Sequence, residues 1–280
     1  MTTILDGKKL SAKILDDLSE KIAKLDRKPH LAVILVGENP ASELYVGLKE
    51  KAAEKIGIKS TVLNYPQNTD EKTILDKLQE LNSDKSVDAI LVQLPLPKQI
   101  NEQKVIQAIS PKKDADGITP ENIGKISIGV EPYAYPCTPK GIFTLLDEYK
   151  VNLEGEHAVI VGRSNIVGKP AAQMALNRNA TVTICHSHTK KLSDITKTAD
   201  ILISAVGKNK FIKKDMIKNN SVIVDVGTSK INGKTFGDVD FENISKLVSH
   251  ITPVPGGVGP MTIASLMQNV LELSKLNRNI

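Results

Sequence analysis

The chain has 280 residues, 40% of them hydrophobic and 25% charged, with a net charge of +5, which is long enough for two domains or one large one. Its lysines are scattered through helical patterns and aromatics make up only 3%, which argues against nucleic acid as a partner. No run approaches membrane-spanning length and the N-terminus lacks a signal-peptide core, so no membrane partner is expected and the cytoplasm is the expected location.

The first helical spacing runs from Leu10 to Leu25, followed by Leu31-Ala-Val-Ile-Leu-Val36, a short β-branched run ending at Gly37. Continuous apolar runs of this kind fit strands buried on both faces of a parallel sheet. A helix (Ala41 to Ile56), a strand (Ser60 to Leu63), a helix (Glu71 to Leu81) and a strand (Ala89 to Val92) are predicted next, an alternation that argues for βαβ units. From about Pro111 to Pro139 loop chemistry dominates, marking a crossing between domains. Thr138 and Pro139 then suit the cap and first position of a helix reaching about Tyr149. A second alternating set follows: strand His157–Val161, the turn Gly162 to Gly168, a helix from about Pro170, and strands at Thr181 to Ile184, Ile201 to Ser204 and Ser221 to Asp225. The uncharged stretch Pro253-Val-Pro-Gly-Gly-Val-Gly-Pro-Met-Thr262 precedes a last apolar helix. Its composition suits a rigid binding surface, with an ordinary helix-entry turn as the plainer reading. The expected fold is α/β in two domains. An N-terminal catalytic domain with a parallel sheet spans 1–118, completed by 261–280, and a C-terminal Rossmann-like domain spans 119–260. The last helix packs back on the first domain.

On the helix after Pro40, about 100° per residue places Ala41, Leu48, Ala52 and Ile56 on one apolar face and Glu43, Glu50 and Glu54 opposite. Tyr45 and Lys49 fall on the apolar face one turn apart, near Ser42. A lysine there either snorkels or sits in a pocket where it can move protons. Gln93 directly follows a strand, where ligands collect in open parallel sheets, and offers donor and acceptor without charge. A strand-end loop bond is the simpler role. Asp116 precedes Gly117 and can accept paired hydrogen bonds from an N–H-rich heterocycle, or be an ordinary Asp-Gly turn. Gly162 and Gly168 bracket a strand-to-helix turn whose N–H groups can face phosphate. The loop after the next strand, Cys185-His-Ser-His-Thr-Lys-Lys191, holds no acid to select NAD. With Arg163 it favours the 2′-phosphate of NADP. Neither Cys137 and Cys185 nor the His186-Ser-His188 pair has metal-site spacing, so no metal is expected.

Taken together, these pieces resemble the bifunctional methylenetetrahydrofolate dehydrogenase/methenyltetrahydrofolate cyclohydrolase family of one-carbon metabolism, over essentially the whole chain. The resemblance is carried by Ile4-Leu-Asp-Gly7, Gly37-Glu-Asn-Pro-Ala-Ser42 with Tyr45 and Lys49, Val92-Gln-Leu-Pro-Leu-Pro97, Lys113-Asp-Ala-Asp-Gly117 and Pro136-Cys-Thr-Pro139. It continues through Gly162-Arg-Ser164, Val167-Gly-Lys-Pro170, Gly237-Asp-Val239 and Pro253 to Thr262.

The resemblance implies oxidation of 5,10-methylenetetrahydrofolate to the methenyl compound with NADP, then hydrolysis to 10-formyltetrahydrofolate. It implies that Tyr45 packs on the folate rings, that Lys49 handles protons tuned by Gln93, and that Asp116 bonds the pterin. It further implies that Ser42, Pro255, Gly256, Gly257 and Thr262 touch the folate, that Gly162, Arg163, Ser164, Ser187, His188 and Thr228 touch the cofactor, and that the chain is a homodimer. Two positions depart from the family pattern: Thr228-Ser229 stands where Ile-Asn is common, and His188 where many members carry Arg or Lys. Three rivals remain open at this level: a chain retaining only one of the two activities, an unrelated NADP dehydrogenase of a small acid, and a non-catalytic nucleotide sensor.

Overall fold

The computed structural model describes residues 1–231 and 233–278. In chain order the elements are β1 (Thr3–Ile4), α1 (Gly7–Ala23), β2 (His30–Val36), α2 (Pro40–Ile56), β3 (Lys59–Tyr65), α3 (Glu71–Ser83), β4 (Ala89–Val92), α4 (Glu102–Ala108), α5 (Pro120–Ser127) and α6 (Cys137–Glu148). They continue as β5 (His157–Val161), α7 (Gly168–Leu176), β6 (Thr181–Cys185), α8 (Leu192–Thr196), β7 (Ile201–Ser204), β8 (Val222–Asp225), β9 (Ser229–Ile231), β10 (Lys234–Phe236), α9 (Phe241–Ile244), β11 (His250–Ile251) and α10 (Val258–Arg278).

The chain divides into two compact units, Met1–Ser11 with Thr138–Thr262, and Ala12–Cys137 with Ile263–Ile280. Relative to the boundaries expected at 118 and 260, the middle division falls later, and Met1–Ser11 joins the other unit because β1 pairs in parallel with β11.

The unit holding Ala12–Cys137 is built on a three-stranded parallel sheet, β3-β2-β4. β2 and β4 are buried along their whole length, which is why their sequences are unbroken apolar runs. The core on one face gathers Leu31, Val33, Ala53 and Ile56 with Leu266, Met267, Val270 and Leu271 of α10, each large side chain contributing roughly 1.5–3 kcal/mol by burial. Polar ties fix α10 as well. Asn269 Nδ2 donates to Ala115 O (2.9 Å) and Tyr135 O (2.8 Å), and Arg278 Nε donates to the buried Asp88 carboxylate at 3.0 Å. The last helix therefore packs in the unit that begins the α/β alternation, as its lack of a following strand implied.

The other unit carries a six-stranded sheet in the order β1-β11-β8-β7-β5-β6, all its pairs parallel, together with the antiparallel hairpin β9–β10. From β5 the chain crosses one way to β6 and the other way to β7. Such a reversal opens a crevice at the carboxyl ends of β5 and β7, the usual ligand position of open α/β sheets.

Three local expectations need correcting. The segment 111–139 is not all loop: α5 forms within it, short enough to be masked by flanking Pro and Gly. α6 starts at Cys137, so Thr138 lies inside the helix, and its hydroxyl meets that of Thr262 at 3.1 Å. α10 begins at Val258, ahead of Pro260, which sits in the first turn where a missing N–H costs nothing.

Candidate active site

α2 is set by its ends. Asn39 Oδ1 accepts from Ala41 N (3.0 Å) and Ser42 N (3.2 Å), Pro40 occupies the first turn, and Gly57 closes the helix at φ +84°. Its buried face is Ser42, Val46, Lys49, Ala53 and Ile56, rotated from the expected one. Ala41 and Leu48 are exposed and Ala52 is half-buried, because Val46 and Ala53 are the residues that reach the sheet core. Tyr45 is 38% exposed and so lies beside the buried stripe, whereas Lys49 is only 8% exposed and lies in it.

Lys49 Nζ donates to Gln93 Oε1 at 3.0 Å. Helical side chains lean toward the N-terminus, so the lysine stem is carried back toward the carboxyl end of the sheet, where Gln93 follows β4. Gln93 is itself held: its backbone N–H donates to Ile34 O (2.9 Å) and its Nε2 to Leu94 O (2.7 Å). Its carbonyl oxygen is thereby left pointing at the lysine.

Asp116 reaches the same end of the sheet by another route. Ile90 forms a parallel bridge with Asp114, with Ile90 N donating to Lys113 O and Ala115 N to Ile90 O. The turn after that bridge is fixed by Asp114, whose carboxylate accepts from Gly117 N (2.9 Å), Thr119 N (2.7 Å) and Asn122 Nδ2 (3.0 Å). Burial pushes the Asp114 carboxyl above its ordinary value, with Asp116 adding to the rise. Gly117, at φ +68°, is pressed on the Tyr135 backbone, where a Cβ would come within 2.4 Å of the carbonyl carbon. Among the described residues, no hydrogen bond links the Asp116 side chain to Lys49 or Gln93. Asp114 and Asn122 are the residues that sequence reasoning passed over, and the only trace of them is an acid two places before Asp116.

In the other unit, the turn after β5 is shaped for close approach of backbone. Gly162 has φ +132°, and a Cβ on it would meet Ala205 O at 2.5 Å; one on Gly168 would meet Gly162 O at 2.2 Å. Ser164 Oγ accepts from Val167 N (3.2 Å) and Gly168 N (3.3 Å) at the start of α7. Arg163, Ser187 and His188 are exposed, and Thr228 is exposed on the loop after β8. The rings of His186 and His188 lie 6.0 Å apart, edge to face. Partial desolvation, then the nearby charges of Arg163 and His188, holds His186 below the ordinary imidazole value. A basic cluster therefore forms at the end of β6, where an acid would select NAD.

The Gly/Pro stretch is anchored on both sides. Lys8 N donates to Gly256 O at 2.8 Å, and a Cβ on Gly257 would meet Pro253 O at 2.6 Å. Pro255 remains exposed, Thr262 is half-buried, and the Val254–Pro255 peptide is cis, as is Leu94–Pro95. Cys137 and Cys185 are buried, and Cys137 Sγ donates to Ala115 O at 3.3 Å. Among the described residues, no group of three His, Cys, Asp or Glu converges as a metal site, and no helix is long and apolar enough to cross a membrane.

Comparison with known proteins agrees with both halves of this geometry. Residues 5–116 match the catalytic-domain model of tetrahydrofolate dehydrogenase/cyclohydrolase, and residues 136–278 match its NAD(P)-binding-domain model. The bifunctional protein FolD of Halalkalibacterium halodurans is 51% identical over 275 residues, covering 97% of this chain and 98% of its own. The crystal structure of FolD from Campylobacter jejuni superposes with a TM-score of 0.97 at 49% identity, covering 99% of each chain. That of the Trypanosoma brucei enzyme, complexed with NADP and an inhibitor, superposes with a TM-score of 0.96 at 34% identity, covering 100% of this chain and 99% of that one. The chain belongs to the tetrahydrofolate dehydrogenase/cyclohydrolase family.

Proposed function

We propose that this protein oxidises 5,10-methylenetetrahydrofolate to 5,10-methenyltetrahydrofolate with NADP and then hydrolyses the product to 10-formyltetrahydrofolate. The observation that carries the reading is the buried Lys49 bonded to Gln93 at 3.0 Å, since an amine held on a helix core face is a proton-handling group in search of a substrate.

The turn at Gly162 and Gly168 suits a dinucleotide: a Cβ on either would strike the chain's own carbonyl oxygens, so only glycine allows this tight strand-to-helix turn at the crevice. Gly162, Arg163, Ser164, Ser187, His188 and Thr228 would hold it, and when bound it supplies the acceptor for the hydride. The basic pair Arg163 and His188, with His186 beside them, favours NADP over NAD.

On the folate side, Tyr45 offers an exposed ring to the pterin and p-aminobenzoyl faces, and Asp116 offers a carboxylate to the amino-pyrimidine edge. Ser42, on the same helix as Tyr45, is a further contact. Hydride loss from the methylene carbon leaves a cation stabilised by the adjacent nitrogens, a step that depends on alignment more than on acid or base. In the hydrolytic step water attacks that carbon. Lys49 takes one proton from the attacking water and returns it to the ring nitrogen as the C–N bond opens, and the remaining hydroxyl proton is released to solvent as the formyl C=O forms. Gln93 keeps Nζ on the path between the two. A homodimer is part of the same reading. It is favoured by the edge position of β6, where Ile184 is exposed.

An absorbance assay with 5,10-methylenetetrahydrofolate and either cofactor tests the whole. The expected result is reduced cofactor, formed faster with NADP, and little build-up of the methenyl compound. Reduction with neither cofactor, together with no hydrolysis of added methenyl compound, overturns it.

A further inference from the structure

Two loops close the carboxyl ends of β7 and β8: residues 205–208 and 226–228. Gly207, Lys208 and Thr228 are exposed, while Val206 packs partly against the core and Gly227 is buried. Beneath them lie two buried acids, Asp225 and Asp238. Asp238 Oδ2 accepts from Ser204 Oγ (3.0 Å) and Val206 N (2.7 Å), and its Oδ1 from Lys208 N (2.7 Å). Asp225 Oδ1 accepts from Gly227 N and Asp238 N, and its Oδ2 from Val239 N, each at 2.9 Å. One acid therefore ties down the β7 loop. The other ties down the β8 loop and the segment that presents the first acid.

The glycines beside them are needed for space. A Cβ on Gly227 would fall 2.0 Å from Asp238 Oδ1, and one on Gly237 would fall 2.0 Å from Asp225 Oδ2. Ser229 Oγ adds a direct link between the loops, donating to Gly207 O at 3.1 Å. Among the described residues, neither acid forms an ion pair with Lys or Arg. Their charge is met by backbone N–H groups and the Ser204 hydroxyl, so they organise the loops and are not offered to a ligand.

We propose that Asp238, seated by Asp225, is a positioning residue for cofactor binding: it fixes the shape of the β7 loop at the crevice and thereby sets affinity for the nicotinamide dinucleotide, without taking part in hydrolysis. The proposal rests on the dehydrogenase reading above.

Asp238→Asn keeps the shape but turns an NH2 toward an N–H donor that had an acceptor. The expected result is a rise of about 10-fold or more in the NADP Kd by titration calorimetry and in the cofactor KM. kcat at saturating cofactor and cofactor-independent methenyl hydrolysis stay near wild type. Amide hydrogen exchange should quicken selectively at Val206 and Lys208, a local signature that general destabilisation does not give. Ser229→Ala, which removes the link near the surface, should shift the Kd in the same direction by less.

Quickened exchange at those two amides with an unchanged Kd and KM overturns the proposal. So does parallel loss of hydrolysis and cofactor binding in a protein that unfolds more easily throughout. If Asp238→Asn does not fold, an unchanged Kd in Ser229→Ala overturns it. A wild-type protein that binds neither NADP nor NAD overturns the dehydrogenase reading, and this proposal with it.

Discussion

At the carboxyl end of the three-stranded sheet the candidate site is made of side chains: Lys49 on a buried helix face, Gln93 at a strand end, and Asp116 on a turn that Asp114 holds in place. At the carboxyl end of the six-stranded sheet it is made mostly of backbone, with Gly162 and Gly168 pressed against carbonyl oxygens and two acids fastening the loops from below. The first arrangement suits proton transfer, which needs one group with the right chemistry within reach of the reacting atoms. The second suits holding a long anionic ligand, which needs many N–H groups in fixed places and no side chain in the way. Substitutions should therefore act differently on the two: loss of one functional group removes a rate in the first, and added bulk removes a binding surface in the second.

The largest effect is expected at Lys49. Lys49→Ala should reduce hydrolysis of the methenyl compound by about 10²–10⁴-fold, followed as loss of its absorbance, while the NADP Kd is unchanged. Hydrolysis at the wild-type rate would remove Lys49 from the mechanism. A changed NADP Kd would break the separation between the two sites.

Added bulk is tested at Gly168. Alanine there places a Cβ 2.2 Å from Gly162 O, a backbone atom that cannot swing aside, so a stability loss of about 1–3 kcal/mol is expected in urea unfolding, with weakened cofactor binding. Gly47 in α2 is the control, because nothing lies within 4 Å of a Cβ added there. Gly47→Ala should stabilise by roughly 0.5–1 kcal/mol. Equal outcomes for the two glycines would mean that the crevice is not shaped by close packing.

The same contrast governs what can be read from sequence. β4, β5 and β7 are legible residue for residue, because strands buried on both faces leave unbroken apolar runs between breakers. Lys49 is legible as a charge on the wrong side of a helix, although the face itself comes out rotated. Leu48, expected on the apolar face, is exposed, because a hydrophobicity pattern takes a leucine for core. β1 and β11 are two-residue strands, too short to have a period, and their pairing joins segments from opposite ends of the chain. Asp225 and Asp238 resist sequence reading for a related reason. Each looks like an ordinary acid at a strand end or a Gly-Asp turn, and their roles appear only when residues 204, 206, 208, 227 and 239 converge on them. Chemistry held by one side chain is visible locally; chemistry held by a network of backbone groups is not.

Asp225 also carries a pH signature. Its carboxyl is pushed up from 3.8 to about 6, chiefly by burial, with the hydrogen bonds it accepts working against the rise. A raised carboxyl pKa means that the folded chain keeps a proton the unfolded chain has released. Its contribution to stability is therefore fully present below pH 3.8 and is lost as pH rises through about 6. Asp200 and Asp240, held low first of all by hydrogen bonds from Lys218 and Asn243, act in the opposite sense and lose their stabilisation in acid. The opposed slopes make a bulk melting curve ambiguous, so the check is a site-resolved carboxyl NMR titration. A midpoint near the ordinary carboxylate value would show that the loop clamp is far better solvated than its burial implies.

The effect that defines the ligand of the backbone cradle is expected at Arg163. Desolvation first, then repulsion from Arg163 and His188, lowers the proton affinity of His186. A 2′-phosphate placed among them would relieve that repulsion and raise the proton affinity of His186; a 2′-hydroxyl would do neither. Arg163→Ala should then weaken NADP by about 10-fold and leave NAD unchanged. Binding of NADP, but not of NAD, should take up protons near neutral pH, measured as a dependence of the calorimetric heat on the ionisation enthalpy of the buffer. Equal weakening of both cofactors would move Arg163 to the shared part of the dinucleotide. It would also leave His188 as the residue that decides between them.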